Sequence, residues 1–106
     1  MVDIMFLFHK DCPNWKCVLK TLNMIVAEEG VNVDVRKIQI RTELDAIRRK
    51  FTGSPTIRIN GKDIDPSYRD SGKYGLVNRE YSGGEAGDTL PSENMIRKAV
   101  RIAFPL

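Results

Sequence analysis

Apolar and polar positions follow three different rhythms along this chain, and the rhythms divide it into elements. Val2-Asp3-Ile4-Met5-Phe6-Leu7-Phe8 is almost continuously apolar and lacks Gly and Pro. Such a run predicts a strand buried on both faces, as in a parallel or mixed sheet. From Pro13 to Glu29 the spacing lengthens to three and four: Trp15, Val18, Leu19, Leu22, Ile25 and Val26 make one helical stripe. Pro13 suits the first helical position, which needs no donated N–H, and this puts Cys12 at the N-cap. Gly30 follows as the C-terminal cap.

Val31, Val33 and Val35 then alternate with Asn32 and Asp34, predicting a second strand that runs to about Ile40. Thr42 caps a short helix, with Asp45 as a capping-box variant, and Leu44, Ile47 and Phe51 as its expected buried face. Phe51 to Thr56 turns the chain into a third strand, Thr56-Ile57-Arg58-Ile59. Asn60-Gly61 is a strong hairpin signal, so Lys62-Asp63-Ile64 returns antiparallel. The stretch from Asp65 to Pro91 carries Gly72, Gly75, Gly83, Gly84 and Gly87, and its only strand-like piece is Leu76 to Tyr81. Connections of this length are functional or mobile. Ser92 caps a last helix whose core face is Ile96, Ala99, Val100 and Ala103. The order is β-α-β-α-β-β-α, without an internal repeat.

A chain of 106 residues makes a single domain, residues 1–106. The net charge of +3 changes little, because lysines and arginines are interleaved with acids and form no run. Nucleic acid is therefore not an expected partner. No run of eighteen apolar residues exists, so no membrane span is expected. Val2 to Phe8 is too short for a signal segment, contains Asp3, and has no basic stretch before it. The chain reads as cytoplasmic. Two cysteines there, Cys12 and Cys17, are redox-active, metal-binding or incidental rather than a secreted disulfide framework.

A cysteine between the first strand and first helix, in Asp11-Cys12-Pro13-Asn14-Trp15, stands in one chain with Phe51-Thr52-Gly53-Ser54-Pro55-Thr56 before the third strand. This pair of motifs resembles the thioredoxin-like superfamily. It looks most like a group of small bacterial and archaeal thioredoxin-like proteins, most without assigned function, some grouped with alkylmercury lyases. In that group a Gly-Ser-Pro-Thr stretch enters a strand ending in an Asn-Gly or Asp-Gly turn, as Gly53 to Gly61 does here. The likeness covers about Val2 to Ile64 plus the last helix. It implies an α/β sandwich: a mixed four-stranded sheet with three helices. It also implies a cis Ser54–Pro55 peptide beside Cys12, in a loop that lines the substrate groove, with the backbone before the proline pairing with a bound peptide. Pro13, Trp15, Ser54 and Pro55 would then contact substrate. Without the resemblance, Pro55 could simply begin an edge strand, and Trp15 could simply head the core stripe. The group often carries a further cysteine before an arginine in the later loop; Asn78-Arg79 stands there instead.

The thiol nucleophile is the thiolate, which a helix N-terminus favours. Cys12 is placed for that, with Lys10 and Lys16 adding to the effect and Asp11 opposing it. His9 reads as a loop histidine, able to assist only if it folds over the thiol. Cys17 departs from the redox pattern, since Trp15 occupies the usual second-cysteine position. Residues three apart in a helix have Cα atoms about 5 Å apart, inside disulfide range; residues five apart lie about 8.6 Å apart, outside it. Around the helix, Cys17 also falls nearly opposite the apolar stripe.

Three readings stay open. Cys12 could work alone, with an external thiol resolving the mixed disulfide, as in monothiol glutaredoxin-like enzymes. The first helical turn could unwind so that Cys17 reaches Cys12, as some peroxiredoxins with this spacing do. Or neither thiol is catalytic and the domain binds a partner or a soft metal ion, although two cysteines are too few for a closed zinc site. The expected activity is thiol–disulfide exchange with Cys12 and Cys17 as the reacting thiols, a protein or small-molecule thiol or disulfide as partner, no cofactor, and a monomer or weak homodimer. Tyr68, Tyr74 and Tyr81, with Arg69, Lys73 and Arg79, form either a lid or an ordinary surface loop.

Overall fold

The computed structural model describes residues 3–79, 81 and 90–104. It is an α/β domain with a mixed four-stranded sheet and three helices: β1 Ile4–Phe8, α1 Trp15–Glu28, β2 Val35–Gln39, α2 Glu43–Arg49, β3 Thr56–Ile59, β4 Lys62–Asp63 and α3 Glu93–Ala103. The strand order is β2-β1-β3-β4. β1 runs parallel to β2 and antiparallel to β3, and β3 pairs antiparallel with β4.

The near-continuous apolar run of β1 has its cause in this order. As an inner strand it supplies both faces, and its side chains alternate between two cores. Ile4, Phe6 and Phe8 join the larger core under α1 and α3, with Val18, Leu22, Ile25, Ile57, Ile96 and Val100. Leu7 joins a smaller core with Ile40, Ala46 and Phe51. Val2 lies outside the described residues. The Asn60-Gly61 hairpin forms as expected, with both residues at positive φ, 54° and 81°, the backbone of a type I′ turn.

Just past the α1 C-cap Glu29, Gly30 has a φ of 69° that lets the chain turn back. The Gly30 and Val31 N–H groups donate to Ala27 O and Val26 O, each at 3.1 Å, closing the helix C-terminus. α3 starts on Ser92, which accepts from the Met95 N–H at 3.0 Å, and buries Ile96 and Val100. An ionic clamp ties α1 to α3: Arg97 meets Glu28 and Glu29 at 2.7 and 2.9 Å, and Arg101 meets Glu29 at 2.6 Å. Arg101 first, then Arg97, holds the Glu29 carboxyl below its ordinary range.

Two expectations are corrected. β2 begins at Val35 rather than Val31, because its register places Val35 opposite Ile4 at the start of β1. Val31 and Val33 still pack on the larger core, but outside the ladder. On α2, Leu44 and Ile47 are 54% and 55% exposed, not buried. Ala46 is the residue that meets the sheet, which turns Ile47 about 100° and Leu44 about 160° away around the helix. Lys50 adopts a left-handed φ of 51°, and the Phe51 N–H donates back to Ala46 O at 2.8 Å. This terminal turn swings Phe51 into the small core.

Candidate functional site

β1 delivers the chain at Phe8 to a turn that holds His9, Lys10, Asp11 and Cys12. The turn is closed by the Cys12 N–H donating to the His9 carbonyl at 3.1 Å. The helix starts later than its sequence suggests. Asn14 is the N-cap of α1, and its carbonyl accepts the first helical bond, from Val18 N–H at 3.1 Å. Cys12 therefore lies ahead of the cap, and Pro13 sits exposed in the preceding turn rather than at the first helical position. The entry point is fixed by packing. The Trp15 ring stacks on Phe8 with centroids 4.1 Å apart and planes 23° apart, which can occur only once the chain has turned fully back over β1. Trp15 remains half-buried, with the Lys16 and Lys37 ammonium groups 5.6 and 5.7 Å from its ring.

The two cysteines are free thiols in opposite settings: Cys12 is buried and Cys17 exposed. Cys12 retains 4% exposure. Cys17 is in the first turn of α1, on the side away from buried Val18, Leu22 and Ile25. The helical spacing argument for the pair assumed a helix running from Cys12 itself. The break at Asn14 removes that premise.

The Ser54–Pro55 peptide is cis, and both residues are buried. The His9 N–H donates to Ser54 Oγ at 3.2 Å. Two hydrogen bonds thus lead from Cys12 through His9 to the proline loop. The same loop is gripped from the other side by residues 77–79. The Ser54 N–H donates to Val77 O at 2.8 Å, and Arg79 N–H donates to Ser54 O at 3.1 Å. Asn78 Oδ1 and His9 Nε2 share a hydrogen bond of 2.8 Å. Among the described residues, the strand-like piece expected from Leu76 to Tyr81 forms a parallel bridge of Ser54 with Asn78; Glu80 lies outside the described residues, as do Gly83, Gly84 and Gly87.

Arg79 anchors the segment. Its guanidinium pairs with Asp63 at 2.6 and 3.1 Å and lies 4.0 Å from the Tyr81 ring centroid and 4.9 Å from that of Tyr68. Burial works against its charge, but the Asp63 hydrogen bonds and the surrounding groups hold its pKa above the ordinary value. Burial likewise pushes the Tyr81 phenol up; its hydroxyl donates to the Pro55 carbonyl. Gly53 is required where the two strands of this contact meet, since a Cβ there would fall 2.5 Å from Arg79 Cβ.

Sequence reasoning missed the roles of His9, Asn78 and Arg79. His9 is 8% exposed and Arg79 is 8% exposed, so neither is the loop-surface residue that its surroundings in sequence suggest. One signal was available: Gly53 directly before Ser-Pro marks a close backbone approach.

A polar cleft of about 540 Å³ opens at the carboxyl ends of β1 and β2, lined by His9, Lys10, Asp11, Gln39, Ile40, Arg41 and Leu76. A larger apolar groove of about 670 Å³ lies at the opposite sheet edge, between β4 and α3. Ligands of α/β proteins characteristically sit outside the carboxyl ends of strands, and the polar cleft is the one that abuts the Cys12 turn. Among the described residues, no group of three or more His, Cys, Asp or Glu side chains converges to hold a metal ion, and no helix is long and apolar enough to cross a membrane. Comparison with protein-family models, curated proteins and solved structures finds no match to the chain.

Proposed function

We propose that this chain is a thioredoxin-like protein of thiol–disulfide exchange that works through Cys12. The observation that carries the reading is the link from the Cys12 turn through His9 to the cis Ser54–Pro55 peptide. It joins the two motifs, far apart in sequence, that the resemblance pairs in one site. In the step, the Cys12 thiolate attacks one sulfur of a disulfide RS–SR′. A Cys12–S–S–R bond forms, the RS–SR′ bond breaks, and R′S⁻ leaves with the electron pair. A second, external thiolate then attacks the R sulfur, forms a new disulfide and returns Cys12 as thiolate. Cys17 takes this resolving role only if the first turn of α1 unwinds, because its helical position turns it to solvent.

A second reading, a non-catalytic thioredoxin-like domain that binds a partner, is favoured by a specific observation. Cys12 is 4% exposed, and both backbone groups of Ser54 are already paired within the chain. Buried thiols without access are inert. Incubation of the reduced protein with 2-hydroxyethyl disulfide at neutral pH separates the two, read by intact mass and peptide mapping. Exchange predicts an adduct on Cys12 that added thiol removes. An adduct confined to Cys17 selects the non-catalytic reading.

A further inference from the structure

We infer that the groove between β4 and α3 binds small amphiphilic carboxylates, an apolar chain ending in one carboxylate, as a site independent of the exchange reading at Cys12. α3 supplies its first wall. With 3.6 residues per turn, Ile102, Met95, Ala99, Ala103, Ile96 and Val100 fall in that order on one unbroken apolar arc of about 160°. The core covers only one end of the arc. Ile96 and Val100 are fully buried, whereas Ile102 is 71% exposed and Met95, Ala99 and Ala103 are partly buried. These last four line the groove, on the side turned away from Arg97 and Arg101, which tie α3 to α1. The helix is thus apolar beyond what the rest of the described chain covers.

The sheet supplies the second wall, where buried Ile59 and Ile64 face the groove. Its volume of about 670 Å³ is within the range of small-molecule sites, about 300–1,000 Å³. Each wall also carries one exposed cation, Lys62 from β4 and Lys98 from α3. Neither has a carboxylate partner among the described residues. Asp63 lines the groove too, but Arg79 holds its carboxylate at 2.6 and 3.1 Å. The charge left for a ligand is therefore positive. An anionic head complements the two lysines, and an apolar tail covers Met95, Ala99 and Ile102. Macromolecular occupants fit this wall less well. β4 is an edge strand of two residues, which offers too few backbone groups for a peptide to pair as an added strand. A second copy seated across a two-fold axis would bring the same lysines against each other.

The test titrates the protein with octanoate and with 1-octanol, which share an apolar tail and differ in charge, at low ionic strength. The readout is the backbone amide signals. The inference predicts saturable shifts centred on Lys62, Ile64, Met95, Lys98 and Ile102, with octanoate bound at least about threefold more tightly than 1-octanol. Lys62→Gln/Lys98→Gln should bring the two affinities together, while Lys10→Gln/Arg41→Gln, at the polar cleft, should leave them apart. Ile102→Asp, at so exposed a position, should hardly move the urea midpoint and should weaken octanoate by about tenfold. Shifts that do not saturate, or that spread over the surface, overturn the inference. Equal affinities for octanoate and 1-octanol in the wild type overturn it as well. So does a dimer in sedimentation equilibrium that Ile102→Asp abolishes, since a second copy would then fill the groove. Cys12→Ser should leave octanoate binding unchanged, which keeps this result separate from the fate of the exchange reading.

Discussion

Cys12 and Cys17 are five positions apart and chemically identical, yet they occupy two different regions of the molecule. Cys12 sits in a turn with its N–H bonded to His9, buried, two hydrogen bonds from the cis-proline loop. Cys17 stands exposed on α1, where its carbonyl accepts a hydrogen bond from Thr21 Oγ1 at 3.1 Å. The difference teaches that sequence spacing alone does not make a redox pair. What separates the two thiols is where the chain stops being a turn and becomes a helix, at Asn14.

The comparison can be broken at several points. The largest effect belongs to exchange itself: Cys12→Ser should abolish thiol-removable adducts with 2-hydroxyethyl disulfide, while Cys17→Ser should retain them, as read by intact mass. Next is the anchor that closes the Cys12 corner. Arg79→Ala removes the ion-pair partner of buried Asp63, whose carboxylate keeps, among the described residues, only the hydrogen bond from the Asp65 N–H, and should cost about 3–5 kcal/mol of stability in a denaturant titration. The same change should quicken alkylation of Cys12 by iodoacetamide under native conditions and leave that of Cys17 unaltered. Gly53→Ala forces a Cβ against Arg79 and should destabilise by about 1–3 kcal/mol through the same contact.

A smaller effect concerns the helix that carries Cys17. The folded-state pKa of Glu29 is depressed by Arg101 and Arg97. Its contribution to stability is therefore present above the unfolded carboxyl value and is lost as pH falls through the folded one. Glu29→Gln should flatten the acid limb of a stability–pH curve and leave the Cys12 adduct rate unmoved. Smallest of all, Cys17→Ser should change stability by less than about 0.5 kcal/mol, as expected of an exposed site.

Much of the architecture was legible because periodicity reports burial directly. The run from Ile4 to Phe8, the α1 stripe, the Asn60-Gly61 turn and the Ser92 cap are each local signals with local causes. What failed depended on distant packing. Leu44 and Ile47 have the right spacing for a buried face, but the sheet accepts Ala46 and receives Phe51 from beyond the helix end. Pro13 fits a helix start, but the Trp15–Phe8 stack sets the start two residues later. For the site, Cys12, Ser54 and Pro55 could be named from motifs. The closure of the Ser54 backbone by residues 77–79 could not, since Asn78 and Arg79 carry no periodic or turn signal. Their partners, His9, Ser54 and Asp63, are fixed only by the fold.

The central claim is that folding makes Cys12 a working thiol rather than a buried bystander. The direct measurement uses Cys17→Ser, in which Cys12 is the only cysteine. The rate of adduct formation with 2-hydroxyethyl disulfide is compared between the folded protein and the same protein in urea, at one neutral pH. The account predicts a folded-state rate at least about tenfold higher, because environment tunes thiol reactivity. A folded-state rate equal to or below the unfolded one would contradict it.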